Sequence, residues 1–221
     1  MRLEAPELVR VDLSEVDYDT AVQRMTGWAD QRRAGLAPDR LFLLSHPPVI
    51  TYGARTPPAD LPDDLSAIPT VAVDRGGNAT YHGPGQLVGY LVMDLRRWGP
   101  VDVVRWLETG LIDAMAALGF PTLRRDTPPG SPSLVGVWTP DGRKLASIGM
   151  RIRGGVTTHG FALNVDTDLT VFDRFVACSL DDVAMTSLDE LATERGIRTP
   201  SDAEVRDAVA THLGAAVSQT P

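Results

Sequence analysis

Residues 134–165 constrain the fold of this sequence more than any other stretch. Two strand-like runs, 134–139 (LVGVWT) and 143–152 (RKLASIGMRI), flank the turn tripeptide Pro140-Asp141-Gly142, and Gly154-Gly155 then leads into a third run, 156–165 (VTTHGFALNV). Links this short join antiparallel neighbours, because a parallel crossover needs a dozen residues or more. The same alternation marks strands at 8–13, 40–45, 49–52, 70–74 and 87–95, with His46-Pro47-Pro48 breaking the second from the third. Asp17 caps a helix running to about Ala34 and stopped by Gly35; a second helix spans 102–118 and ends at Gly119. Ser187 with Glu190 and Ser201 with Glu204 have capping-box spacing and open two more helices, the last covering 201–213. The Pro-rich stretches 56–69 and 121–132 are loops. Paired strands with a few packing helices predict one α+β domain over 1–221, with its core at about 8–196.

Charge and composition narrow the function. A net charge of −8 argues against general nucleic-acid binding, which works by phosphate neutralisation. Arg143, Lys144, Arg151 and Arg153 could form a local basic patch for an acidic partner, or simply be solvated strand ends. No apolar run spans a membrane, and the acidic N-terminal residues do not suit a signal peptide. His46, His82, His159, His212 and the single cysteine show no metal-ligand spacing, so no metal is expected.

One cysteine, Cys178, and one lysine, Lys144, stand out: the other 20 of the 21 basic side chains are arginines. Arginine keeps its charge but cannot give up a proton near neutral pH, whereas lysine can. Strict alternation along 143–153 puts Lys144 on one face with Ala146, Ile148, Met150 and Ile152, and Arg143, Ser147, Arg151 and Arg153 on the other. An ammonium starting an otherwise apolar face loses solvation, which lowers its pKa. Cys178 falls in an irregular stretch, and a nearby ammonium would stabilise its reactive thiolate. Such a pair suits acyl transfer, with the thiolate attacking and the amine moving protons.

The other dense region is 75–86, RGGNATYHGPGQ, where four glycines accompany Arg75, Tyr81 and His82. Bare backbone there allows close approach to a ligand, with N–H groups free to hold a carbonyl or phosphate oxygen. The spacing fits neither the dinucleotide fingerprint nor the phosphate loop.

RGGNATYHGPGQLVGYLVMDL, GRKLASIGMRI, THGFALNV and the block from Cys178 to Met185-Thr186-Ser187-Leu188 together resemble the lipoyl(octanoyl) transferase family, from about Val9 to Arg195. The resemblance implies the fold of biotin and lipoate protein ligase catalytic domains, a mixed, mostly antiparallel sheet flanked by helices, and no cofactor. It also implies transfer of an octanoyl group from acyl carrier protein to a lysine on lipoyl domains, those of 2-oxoacid dehydrogenase and glycine cleavage proteins, through a cysteine thioester. Cys178 would be the nucleophile and Lys144 the residue that lowers its pKa. Arg75, Gly76, Gly77, Asn78, Ala79, Thr80, Tyr81, His82, Ser147, Ile148, Gly149, Gly160, Phe161 and Ala162 would form the acyl pocket, with His159 and Gly83 as further candidates. A cytoplasmic monomer is expected. One departure falls beside the nucleophile, where the family usually has Pro-Cys-Gly-Ile and this sequence has Ala177-Cys178-Ser179-Leu180; Ser179 reaches positive φ less cheaply than glycine.

Three rival readings remain at the level of sequence. An ATP-dependent lipoate–protein ligase of the same fold would not need Cys178. A thiol hydrolase using His82 or His159 as base would leave the unique lysine unexplained. A binding module without catalysis would not need the Cys/Lys pair.

Overall fold

The computed structural model describes residues 7–63, 67–95, 98–180 and 183–217. Its strands are β1 (Leu8–Glu15), β2 (Arg40–Ser45), β3 (Val49–Gly53), β4 (Thr70–Val73), β5 (Thr80–His82), β6 (Gln86–Val92), β7 (Gly136–Trp138), β8 (Lys144–Arg153), β9 (Val156–Asn164) and β10 (Ala215–Val217). Its α-helices are α1 (Tyr18–Arg33), α2 (Pro100–Ala117), α3 (Leu188–Arg195) and α4 (Asp202–His212). The meander forms as its turns dictate, with β7, β8 and β9 antiparallel and Arg153 paired with Val156 across Gly154-Gly155. β9 continues antiparallel onto β6 and β6 onto β2, whereas β1 joins β2 and β10 in parallel, giving a seven-stranded mixed sheet ordered β10-β1-β2-β6-β9-β8-β7. A second sheet, β4-β3-β5, stands beside it.

The helix ends follow their caps. Asp17 accepts from Thr20 N–H at 3.0 Å, and Ser201 with Glu204 forms the reciprocal box. Ser187 makes only its own half, accepting from Glu190 N–H at 3.1 Å, because the Glu190 carboxylate is taken by Thr186 Oγ and Arg143. α2 starts two residues earlier than expected: Pro100 suits the first helical position, and Asp102 accepts from Gly99 N–H at 3.1 Å.

Apolar spacing decides the layers. Val103, Leu107, Leu111 and Ala114 make a stripe three or four residues apart on α2, fully buried against one sheet face with Leu188, Leu191, Val205 and Val209 of α3 and α4. Ala21, Met25 and Ala29 of α1 cover Phe42, Val88, Tyr90 and Val92 on the opposite face. Among the described residues no helix is long and apolar enough to cross a membrane. The expected basic patch is not free: Arg143 is bound to Asp141, Glu190 and Glu194, Arg151 to Asp74, and Lys144 is buried, which leaves Arg153 exposed.

Candidate active site

Lys144 reaches the site through a β-bulge. Gly136 pairs with Ser147 and Val137 with Ala146, but Trp138 pairs with Lys144, so β8 carries one extra residue there. Leu145 and Ala146 both enter the core on the α2 side. The extra residue corrects the expected alternation: Lys144 leaves the face of Ala146, Ile148 and Met150 and joins Ser147 on the other. The main chain at Lys144 is fixed on a second side as well, its N–H donating to Ala184 O (2.9 Å) and its carbonyl accepting from Thr186 N–H (3.0 Å). Its side chain is 2% exposed and packs against Gly136, with Nζ 5.3 Å from the centre of the Trp138 ring.

Cys178 sits in a short 3-10 turn, Ala177–Ser179, that follows another, Leu169–Arg174. Both Cys178 (φ 58°) and Ser179 (φ 55°) are left-handed, a conformation that costs a side-chain-bearing residue about 1–2 kcal/mol. Three tethers hold it. Cys178 N–H donates to Ala79 O at 2.8 Å, Val176 N–H to Asp60 O at 3.0 Å, and Ser179 Oγ to the Asp60 carboxylate. Ser179 therefore takes up a conformation that glycine would reach at lower cost, and an acceptor on another loop holds it there.

These two supports bring Lys144 Nζ to 3.2 Å from Cys178 Sγ, with Ser147 Oγ 3.7 Å from the same sulfur. Burial pushes the thiol pKa up, but the Lys144 ammonium, the hydroxyl of Ser147 and the more distant charge of Arg75 together hold it below the ordinary thiol value.

A cavity opens from this pair. Among the expected residues, Arg75, Gly77, Asn78, Thr80 and His82 line it from the glycine-rich loop, and Ser147, Ile148, Gly149, His159, Gly160, Phe161 and Ala162 from β8 and β9. Gly76, Ala79, Tyr81 and Gly83 do not. Ala79 and Tyr81 face the cluster of Ile50, Val171 and Phe175 beneath the small sheet, Gly83 backs onto the Tyr81 ring, and Gly76 lies beyond the cavity wall. Tyr18, Val88, Tyr90, Ser133 and Val135 complete the lining. Val88 and Tyr90 fall within the 75–95 motif but are not among the residues expected in the pocket, and Tyr18, Ser133 and Val135 lie outside every motif.

Arg75 is part-buried and is paired with three main-chain oxygens and a hydroxyl rather than a carboxylate. Its guanidinium donates to Thr51 O (2.9 Å), Thr51 Oγ (2.8 Å), Gly76 O (3.0 Å) and Asn78 O (3.1 Å), so the loop is folded around the charge. Gly76 N–H docks on Met150 O at 2.9 Å, beyond the end of β7, and a side chain at Gly149 would meet Gly76 O at 2.7 Å. Among the described residues the N–H groups of Gly77 and Asn78 donate to no main-chain carbonyl.

Among the described residues neither His82 nor His159 hydrogen-bonds the thiol, whose partners are Lys144 and Ser147. Burial, with Arg75 and Arg151 nearby, pushes His159 down to about 3. His82, lowered by burial and by the charges of His46 and Arg75, bonds Gln86 and Thr51 instead of Cys178. Among the described residues no group of three His, Cys, Asp or Glu side chains could hold a metal ion.

The sequence and the fold of this chain both have counterparts among known proteins. The sequence matches the lipoyl protein ligase A/B catalytic domain over residues 17–214, and the chain belongs to that family. The octanoyltransferase of Frankia casuarinae is 48% identical over 194 residues, 87% of this chain and 88% of that one. The octanoyltransferase of Mycobacterium leprae is 44% identical over 207 residues, 90% and 83% of the two chains. Like these relatives, the protein is an acyltransferase. Solved structures of similar fold include a lipoate-protein ligase A bound with ATP (17% identical, TM-score 0.72, 97% of this chain and 88% of that one). Biotin protein ligase from Aquifex aeolicus is more distant (11% identical, TM-score 0.52, 93% and 66%).

Proposed function

We propose that this protein transfers an octanoyl group from octanoyl-acyl carrier protein to the ε-amine of a lysine on lipoyl domains, in lipoate biosynthesis, through a thioester on Cys178. The observation that carries the reading is the 3.2 Å contact between the only lysine and the only cysteine of the chain, 34 residues apart in sequence. Transfer starts from the thiolate form of Cys178, which the charge of Lys144 beside it favours. The thiolate attacks the carbonyl of the donor thioester, and the departing carrier thiolate takes a proton from Lys144. The neutral Lys144 amine then accepts a proton from the attacking lysine of the acceptor. An amide forms, the Cys178 thiolate leaves, and the starting pair is restored. The free N–H groups of Gly77 and Asn78 offer donors for the negative charge that develops on the carbonyl oxygen. The octanoyl chain would lie between the glycine-rich loop and Phe161.

Incubation with octanoyl carrier protein should add about 126 Da to the intact protein, an octanoyl group replacing one hydrogen. Cys178→Ser should show neither a stable adduct nor transfer. Near-normal transfer by that variant, dependent on ATP, would instead favour a ligase that works through an adenylate.

A further inference from the structure

A continuous run of buried side chains joins the glycine-rich loop to Lys144. Arg75 donates to Thr51 Oγ (2.8 Å), which lies 3.3 Å from His82 Nε2; His82 Nδ1 is 2.9 Å from Gln86 Oε1. Gln86 Nε2 donates to Tyr81 O (3.1 Å) and Asn164 Oδ1 (2.9 Å), and Asn164 Nδ2 to Thr186 O (3.0 Å), whose own N–H holds the Lys144 carbonyl. Thr51, Gln86, Asn164 and Thr186 are each at most 3% exposed.

The direction of this relay is forced from its ends. The carbonyls of Thr186 and Tyr81 can only accept, so the amide nitrogens of Asn164 and Gln86 must face them. Gln86 Oε1 then faces His82, and Nδ1 must carry the hydrogen. Buried between Arg75 and His46, with no carboxylate among its contacts, His82 is neutral, so Nε2 accepts from the Thr51 hydroxyl. Gln86 and Asn164 are direct cross-strand partners at the ends of β6 and β9, so the sheet itself sets their spacing.

We propose that His82, Gln86 and Asn164 are positioning residues: a one-way hydrogen-bond relay, with His82 fixed as the Nδ1–H tautomer, that holds the 184–186 segment against Lys144 and so sets the distance between amine and thiol. This rests on the proton-carrying role given to Lys144 above. The glycine-rich loop and the Lys144 support are thereby one mechanical unit, although 75 and 144 lie on different elements.

Two measurements test it. In the wild-type protein, nitrogen-15 NMR of the histidines should show His82 protonated at Nδ1 and unprotonated at Nε2 throughout pH 5–8; an Nε2–H form, or titration near 6.5, would overturn the relay. Asn164→Leu and Asn164→Asp both strip Thr186 O of its donor, one without and one with added charge. Both should raise the pH midpoint of Cys178 alkylation by iodoacetamide, and both should lower kcat for acylation by about 10–100-fold, the scale of a misplaced catalytic group, with donor KM within about twofold. A shift in Asn164→Asp alone would reduce the effect to charge, and unchanged kcat in both would end the positioning role. Alkylation needs no carrier protein, so it still reads the Lys144 placement if the donor assignment fails. Should neither variant fold, the tautomer alone decides.

Discussion

Lys144→Met is the sharpest perturbation of the site, because it keeps the unbranched side chain to within one atom of its length while deleting the charge 3.2 Å from Cys178 Sγ. Two unit charges at that distance attract by about 5 kcal/mol at an effective dielectric of about 20. The thiol is half-buried, so about half of this survives screening, roughly 2.5 kcal/mol or about 70-fold in thiolate population. Burial, which works against ionisation, would then be opposed only by Ser147 and the distant Arg75. The sign is unambiguous: the thiolate stabilised by Lys144 in the wild type is lost as pH falls, and the variant loses it at higher pH. Since Cys178 is the only thiol, alkylation by iodoacetamide followed by intact mass across pH 5–10 reads it directly. The wild-type midpoint should lie below the ordinary thiol value of about 8.5 and the variant's well above the wild type's. Coincident profiles for the two proteins would refute the electrostatic account, whatever happened to transfer. Lys144→Arg keeps the charge but not the exchangeable proton, and transfer should fall about 10²–10⁴-fold while some alkylation survives. The 2% exposure of Lys144 and its packing on Gly136 add an overpacking cost of about 1–3 kcal/mol, so that variant needs a denaturation curve beside its kinetics.

Gly149→Ala should displace the glycine-rich loop, because the new methyl would meet Gly76 O at 2.7 Å at a position with no positive φ. Acylation should fall by more than tenfold with a stability loss of about 1–3 kcal/mol, and full activity would detach the loop from acyl binding. Ser179→Ala should cost about 1–3 kcal/mol in urea unfolding through its lost bond to Asp60, and Ser179→Gly about 1–2 kcal/mol less, since glycine relieves the φ of 55°. Equal losses would mean that the left-handed conformation carries no strain. Below pH 6.5 the unfolded protein takes up a proton at His159 that the folded protein, with this pKa at about 3, does not, so His159 alone should remove about 1.4 kcal/mol of stability per pH unit across that window, on top of what the lowered His46 and His82 contribute. His159→Gln should flatten the slope of urea midpoint against pH; an unchanged slope would show that His159 already ionises in the fold, with Asp74 at 3.6 Å as its partner.

What the sequence made legible depends on the range over which each feature is encoded. Caps, turns and the 3.6-residue stripe on α2 are local, so the helices and the β7–β9 meander can be read from neighbouring residues alone. β5 and β10 are three residues each, too short for a period to show, and both exist because longer strands pair with them. The bulge in β8 leaves no mark in residue type. Alternation predicts Lys144 and Ser147 on opposite faces, and only the pairing of Trp138 with Lys144 reverses that. Tyr18, Val88 and Tyr90 reach the cavity from α1 and β6, elements whose contact is tertiary. Gln86, the one polar residue of β6, and Asn164, which ends the apolar run Phe161–Leu163 of β9, do carry a signal in the sequence, because burial requires partners for both.

The Ala177-Cys178-Ser179-Leu180 departure follows the same logic of distributed support. Glycine after the nucleophile would reach positive φ with no partner, whereas serine there needs the Asp60 carboxylate, which ends a short 3-10 turn (Pro58–Asp60) in the loop between β3 and β4. The main chain of that loop also receives Val176 N–H, so Asp60 fixes the turn from both sides of Cys178. The thiol is thus held from the small sheet and the amine from the large one, by β7 and the 184–186 segment. Their 3.2 Å approach is therefore a property of how the two sheets pack, and a substitution that loosened the sheets against each other would separate the pair without touching either residue.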